Sequence, residues 1–240
     1  VYLSDGSLVR LDAETTIVEN FTKALRRVEL EVGRASFDVV HDSARPLEVA
    51  AGTVVVRALG TRFNVSKGKK GKVIVAVIEG SVEVNENGGE SPTTAPKSLL
   101  ATAPAPQAPG TDSTPAEQTA SARVLPQVRP VKKVLVSGQQ IVVDTKEASV
   151  EIASVDIEKA DAWQTGRLYF QTTPLIDVLG EVNRYMQNKL IIEDKRLETI
   201  PITMNFNIKH RKNFIRALEG AIPIQTRFTS SGRILLTMRD

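Results

Sequence analysis

The dipeptide Gly60-Thr61, set in Ala58-Leu59-Gly60-Thr61-Arg62-Phe63, holds the one piece of covalent chemistry that these residue types allow. A threonine hydroxyl can attack the carbonyl of the residue before it when the turn is strained. The acyl group then moves from nitrogen to oxygen and leaves a hydrolysable ester. Glycine at position 60 tolerates unusual backbone geometry and leaves that carbonyl unshielded. The same pair also reads as a β-turn glycine followed by a strand-forming threonine, and on the residues alone the turn is favoured.

Elsewhere the inventory of reactive groups is poor. There are two histidines, His41 and His210, and no cysteine. No GxSxG elbow, P-loop, GxGxxG or HExxH pattern occurs, so hydrolase, nucleotide and zinc chemistry lose support and no cofactor, metal or small-molecule substrate is expected. His41 beside Asp42 reads as a turn residue rather than a catalytic pair. The absence of cysteine excludes disulfides and thiolate metal sites and is compatible with an oxidising compartment. The basic cluster Lys209-His210-Arg211-Lys212 lacks the interleaved aromatics of a nucleic-acid surface. Trp163, the only tryptophan, reads as a packing anchor where two parts of the chain meet.

The elements that must position these residues fall into three stretches. With 240 residues the chain has room for one large domain or two modest ones. Its longest aliphatic run, Val73 to Ile78, is far short of the roughly 18 residues of a membrane helix. Residues 1–85 alternate with a period of two: Val28/Leu30/Val32, Ala35/Phe37/Val39, Val54/Val56/Ala58, Phe63/Val65, Val73/Val75/Val77 and Val82/Val84. Gly6, Gly33, Gly52, Gly60, Gly71 and Gly80 punctuate them as turn positions. This predicts an all-β module, a solenoid-like roll or a sandwich.

From 86 to 130 the composition shifts to Pro, Ala, Thr and Ser, with eight of the twelve prolines, and predicts a disordered insertion or loop. Strand character returns at Val134 and Ile141, so residues 1–85 plus 131–160 are read as one module. Residues 161–240 form the second, a small α+β domain of β-α-β-β-α-β-β order. Its first helix is predicted to take Thr173 as N-cap, Pro174 as first residue and to run to about Gln187, with Leu175, Val178, Leu179, Val182, Tyr185 and Met186 as its apolar stripe. Gly220 is placed as the cap ending the second helix. The chain opens on strand-like Val1-Tyr2-Leu3, so it is expected to be a fragment whose signal or anchor has been removed or lies upstream.

Three stretches carry a resemblance to a known family: Leu3-Ser4-Asp5-Gly6-Ser7 with Val9 and Leu11; Arg45 to Val49 through Ala58-Leu59-Gly60-Thr61-Arg62-Phe63-Asn64-Val65 to Glu79-Gly80; and Ala162-Trp163-Gln164-Thr165-Gly166-Arg167 with Glu181-Val182-Asn183-Arg184-Tyr185. In this order they resemble the periplasmic region of FecR-type transmembrane sigma-factor regulators. The last 75 residues also resemble the short amino-terminal domain of secretins and TonB-dependent transporters.

The resemblance implies the periplasmic part of a single-pass inner-membrane anti-sigma protein. Its partners would be the signalling domain of an outer-membrane TonB-dependent siderophore transporter, periplasmic proteases, and an extracytoplasmic-function sigma factor held by a cytoplasmic segment. It also implies self-cleavage between Gly60 and Thr61 in some family members. The excess of 12 basic over 7 acidic residues in 166–240 would steer an acidic partner surface. Arg184, Lys189, Arg227 and Arg233 are therefore the expected exposed contact residues. The alternative reading is an envelope-binding β module that holds a wall polymer, which would need an exposed aromatic platform.

Overall fold

The computed structural model describes residues 1–68, 71–86, 132–210 and 212–239. The amino-terminal part consists of strands β1 (Leu8–Leu11), β2 (Thr16–Phe21), β3 (Arg26–Asp38), β4 (Leu47–Ala51), β5 (Val54–Ala58), β6 (Arg62–Lys67), β7 (Lys72–Glu79), β8 (Ser81–Glu86), β9 (Lys132–Val136), β10 (Gln139–Asp144) and β11 (Ser149–Ser154). Their order across one curled sheet is β11-β10-β7-β6-β3-β4-β5-β8-β9, with β1 and β2 also pairing β3.

The thirteen-residue β3 is the shared edge of two faces. Its first half pairs β2 and, in parallel, β4. Its second half pairs β1 and β6. Between the faces lies a core of Val, Leu, Ala, Ile and Phe that includes Val28, Leu30, Phe37, Phe63, Val75 and Ile141. The inward side chains are mostly β-branched, which suits a pleated surface buried on one side.

Two sequence expectations for this module change. Gly33 is not a turn between two strands; it lies inside β3 with φ +99°. The register against β2 steps from Val32 to Leu30, leaving Glu31 as an extra residue, so β3 bulges there. The bulge moves the inward phase by one: Arg26, Val28 and Leu30 face the core before it, and Ala35 and Phe37 after it. Val32, expected to face inward with Val28 and Leu30, is consequently exposed. The second change is Glu86, assigned to the insertion by composition, which pairs with Val54 as the last residue of β8. The remainder of the expected insertion, 87–130, lies outside the described residues.

The carboxyl-terminal part begins with helix α1 (Ile157–Asp161), capped by the Asp156 carboxylate, and a 3-10 turn over Ala162–Thr165. Then come β12 (Arg167–Pro174), α2 (Leu175–Val182), β13 (Leu190–Ile192), β14 (Pro201–Asn207), α3 (Lys212–Ala221), β15 (Ile224–Phe228) and β16 (Ile234–Met238). Strands β12 and β14 form one antiparallel pair, while β13, β16 and β15 form a second small sheet. A separate core of Trp163, Leu168, Leu175, Val178, Phe206, Phe214, Leu236 and neighbours lies beneath the helices.

The expected helix caps are also revised. Helix α2 starts after Pro174, which has no side-chain cap, and Thr173 Oγ1 instead bonds the Gln171 carbonyl. The first-turn amides of Leu175 and Ile176, which have no acceptor within the helix, donate to the carbonyls of Ile200 and Glu198, so tertiary contacts do the work of a cap. The helix ends at Val182 rather than near Gln187, because the amides of Arg184 and Tyr185 turn to carbonyls three residues back. Gly220 lies within α3, not beyond its end. Among the described residues no helix is long and apolar enough to cross a membrane.

Candidate functional site

The Gly60-Thr61 turn connects β5 to β6 at a point where three separate segments converge. Residues 39–42 run alongside it: the Val39 amide donates to the Thr61 carbonyl at 3.0 Å and the Asp42 amide to the Leu59 carbonyl at 2.8 Å. His41 is thereby set against Gly60. A Cβ built on Gly60 would lie 2.7 Å from His41 Nδ1 and 2.9 Å from its Cα, so only glycine fits at position 60.

On the other side stands the β7–β8 turn, where Gly80 has φ +82° and a Cβ would meet Thr61 Cγ2 at 2.9 Å and the Gly60 carbonyl oxygen at 3.6 Å. That turn is held by Ser137, whose amide donates to the Gly80 carbonyl at 3.0 Å and whose hydroxyl donates to the Ile78 carbonyl at 2.8 Å. Thr61 is buried, and its Oγ1 has no hydrogen-bond partner. Buried hydroxyls normally find one. With the methyl held against Gly80 and χ1 stiff in a β-branched residue, the hydroxyl is confined in direction as well as unpaired.

The Leu3 to Ser7 stretch serves a different purpose. Asp5 accepts the Ser7 amide at 2.9 Å and hydroxyl at 2.8 Å and pairs with Arg26 Nη1 at 2.6 Å. Arg26 is fully buried, and its Nε donates to the Arg45 carbonyl at 2.7 Å. Burial pushes the Asp5 carboxyl up, but the bonds from Ser7 and Arg26 outweigh it and hold the carboxyl below its ordinary value.

A second polar centre joins the two modules. Asp12, just after β1, takes Arg34 Nε at 2.8 Å and the Tyr185 hydroxyl at 2.6 Å. Arg34 Nη2 also lies 2.6 Å from Glu181 Oε1, and the guanidinium covers the ring of Trp163 with its carbon 4.9 Å from the centroid. Arg184 Nη2 donates to the Ala13 carbonyl at 2.6 Å, and its Nη1 lies 3.4 Å from Asp12 and Glu181 oxygens.

Two arginines and two carboxylates thus balance within one partly buried cluster. Burial lowers the Arg34 pKa, yet Glu181 and Asp12 outweigh it and raise the value above the ordinary one. Burial also pushes the Tyr185 hydroxyl up, and its bond to Asp12 adds to this. Both groups keep their usual protonation at neutral pH.

The four expected contact residues separate in this structure. Arg184 is not exposed: it belongs to the inter-module cluster because the turn after α2 lays it across the Ala13 carbonyl. Lys189 Nζ is engaged by Glu14 at 2.9 Å and by the Asn183 carbonyl at 2.6 Å. Arg227 and Arg233 are exposed on the β15–β16 hairpin, beside exposed Phe228, and Arg227 lies 3.6 Å from Glu193.

Arg26, Arg34 and Asp12 were not anticipated as organising residues. Arg26 had a readable signal, since it shares the inward phase of Val28 and Leu30. The phase of Arg34 depends on the bulge.

Residues 1–83 match the model of the FecR protein family. That span holds β1 to β7 and the first half of β8, so the FecR-like part includes the Gly60-Thr61 turn and the Asp5–Arg26 pair. Two crystal structures, each of a candidate anti-sigma factor from Parabacteroides distasonis ATCC 8503, share the fold over the whole chain. One has a TM-score of 0.75 at 24% identity, covering 100% of this chain and 94% of that one. The other has a TM-score of 0.73 at 24% identity, covering 100% and 93%. No curated protein matches. The fold of this chain, with its β part followed by an α+β part, therefore recurs in those two structures.

Proposed function

We propose that this chain is the periplasmic signal-relay part of an inner-membrane anti-sigma regulator. The observation that carries the reading is the FecR match over residues 1–83, set in a fold that covers 94% of a candidate anti-sigma factor. In this reading the α+β module receives the signalling domain of an outer-membrane TonB-dependent transporter. The cluster around Arg34 transmits that contact to the FecR-like module, and regulated proteolysis then releases the sigma factor held by a cytoplasmic segment.

With Arg184 and Lys189 engaged by the first module, the receiving surface is assigned to the β15–β16 hairpin. Its exposed cationic groups are Arg227, which pairs loosely with Glu193, and Arg233, and among the described residues β15 is an edge strand of its sheet, a place for strand addition. The test is a calorimetric titration of the chain with the isolated signalling domain of the transporter encoded beside its gene. Saturable one-to-one binding that Arg227→Glu and Arg233→Glu weaken is expected. Absence of binding to any such domain would remove the relay reading.

The second part of the reading is self-cleavage between Gly60 and Thr61. A buried, unpaired threonine hydroxyl next to a glycine carbonyl supports it. The purified chain is expected to yield two pieces on incubation and Thr61→Ala to stay intact. An unbroken parent chain would rule cleavage out.

A further inference from the structure

We infer that Phe228 is the anchor of the receiving surface and that its occupant is an apolar pocket rimmed by carboxylates on the transporter's signalling domain; this rests on the relay reading above. The first support is the place of Phe228 in its sheet. Residues opposite one another on neighbouring strands share a face. Leu190 pairs with Ile234, and Ile234 with Phe228, so the three side chains form one row across β13, β16 and β15. Leu190 and Ile234 are 3% and 2% exposed and belong to the core of the module, whereas Phe228 is 65% exposed. Phe228 therefore stands on the core face of its sheet, at the edge strand, outside the cover that buries its two neighbours.

Charge selects the occupant. From Ile224 to Met238 the hairpin carries Arg227 and Arg233 and no acidic residue. Both arginines are exposed. Arg227 precedes Phe228, and Arg233 precedes its cross-strand partner Ile234, so a cation flanks the row on each strand. Arg227 lies 3.6 Å from Glu193, with both side chains exposed, a contact that a closer carboxylate displaces at little cost. An aromatic ring between two cations is complementary to an apolar pocket with an acidic rim. It is opposed to a second copy of itself, whose hairpin would bring two more arginines to the same edge.

The hairpin also holds the ring in place before a partner arrives. The Thr229 amide donates to the Arg233 carbonyl at 2.9 Å and the Gly232 amide to the Thr229 carbonyl at 3.0 Å, while the Arg233 amide donates to Thr229 Oγ1 at 3.0 Å. A turn tied in this way loses little freedom on binding. At the other end of the row Leu190 follows Lys189, whose Nζ reaches Glu14 of the first module at 2.9 Å. A partner seated on Phe228 thus contacts a row that ends beside the inter-module contact.

The test is the affinity of the isolated signalling domain of the transporter encoded beside the gene for the whole chain, Phe228→Ala, Phe228→Leu and Arg227→Glu. Each is titrated at low and at high salt. Phe228→Ala is expected to bind about 30-fold more weakly or worse, by the same factor at both salt concentrations, since apolar burial is not screened. Phe228→Leu, which keeps an apolar side chain, is expected to lose less. Arg227→Glu is expected to weaken binding chiefly at low salt.

Parent-like affinity of Phe228→Ala would overturn the anchor while leaving the relay reading standing. A loss in Phe228→Ala that disappears at high salt would also overturn it, because the ring would then act only through its charged neighbours. Sedimentation of the chain alone that shows a dimer abolished by Phe228→Ala would assign the patch to self-association and overturn it as well. A parent chain that binds no such domain would remove the relay reading and the anchor with it.

Discussion

Arg34 lies over the ring of Trp163, its guanidinium carbon 4.9 Å from the ring centroid, and through this stack the FecR-like module meets the α+β module. An arginine so placed gains from the ring face and from the two carboxylates that flank it. Removing it leaves Asp12 and Glu181 without their main counter-charge in a partly buried setting. Arg34→Ala is expected to cost about 2 to 4 kcal/mol in chemical denaturation. Because Trp163 is the sole tryptophan, its emission should shift to the red in the variant at zero denaturant. Unchanged emission and an unchanged midpoint would show that the modules do not depend on this stack. Arg34→Lys should restore little, since an ammonium lacks the fork that reaches both acids and the ring.

The Asp5–Arg26 pair makes stability depend on pH in a defined direction. The folded Asp5 carboxyl lies below its ordinary value, so its contribution is fully present above the unfolded value of about 4. It is lost as pH falls through the depressed folded value. Asp5→Asn should therefore be less stable than the parent at pH 7, with the gap closing below about pH 4. A gap that stays constant through this range would mean that the Asp5 charge plays no part.

Two positive-φ glycines should respond very differently to alanine. At Gly138, φ is +79° and nothing lies within 4 Å of a new Cβ, so Gly138→Ala should cost only the left-handed strain, about 1 kcal/mol. At Gly33 the new carbon would lie 2.3 Å from Thr15 Oγ1 and 2.6 Å from Thr15 Cα. Backbone must move there, and Gly33→Ala should cost about 3 kcal/mol or more. Equal melting temperatures for the two variants would contradict the close packing at the β3 bulge.

A break after Gly60 would not separate the chain into free pieces. Strands β3, β4 and β5 of the first piece sit in the sheet between β6 and β8 of the second. Hydrogen-bonded ladders therefore join the pieces along two edges, β3 to β6 and β5 to β8. Residues 1–60 and 61–240 co-expressed as two chains should elute together in native buffer and part only in denaturant. Separate native peaks would show that the covalent turn is needed to hold the roll.

The strand-dense first half and the helix-bearing last third were both legible without coordinates, because the two backbone periods are local. Val73, Val75 and Val77 announce an inward face within five residues, and Leu175, Val178, Leu179 and Val182 announce a helical one. The Gly33 bulge was misread as a turn, since a positive-φ glycine serves both and only the pairing register tells them apart. The cap of α2 was misread because the carbonyls that satisfy it come from Glu198 and Ile200, far beyond any local window.

The candidate site divides in the same way. The residues alone determined that Gly60 and Thr61 are adjacent and that cysteine chemistry is absent. Tertiary structure alone decided that His41 covers Gly60, that Gly80 holds the Thr61 methyl, and that Arg184 joins the modules rather than facing solvent. Asp12 and Tyr185 are 173 positions apart and share a hydrogen bond. The physical reason is range: burial periodicity is written within a few residues, whereas a sheet that curls on β3 brings together side chains whose separation along the chain carries no trace of their contact.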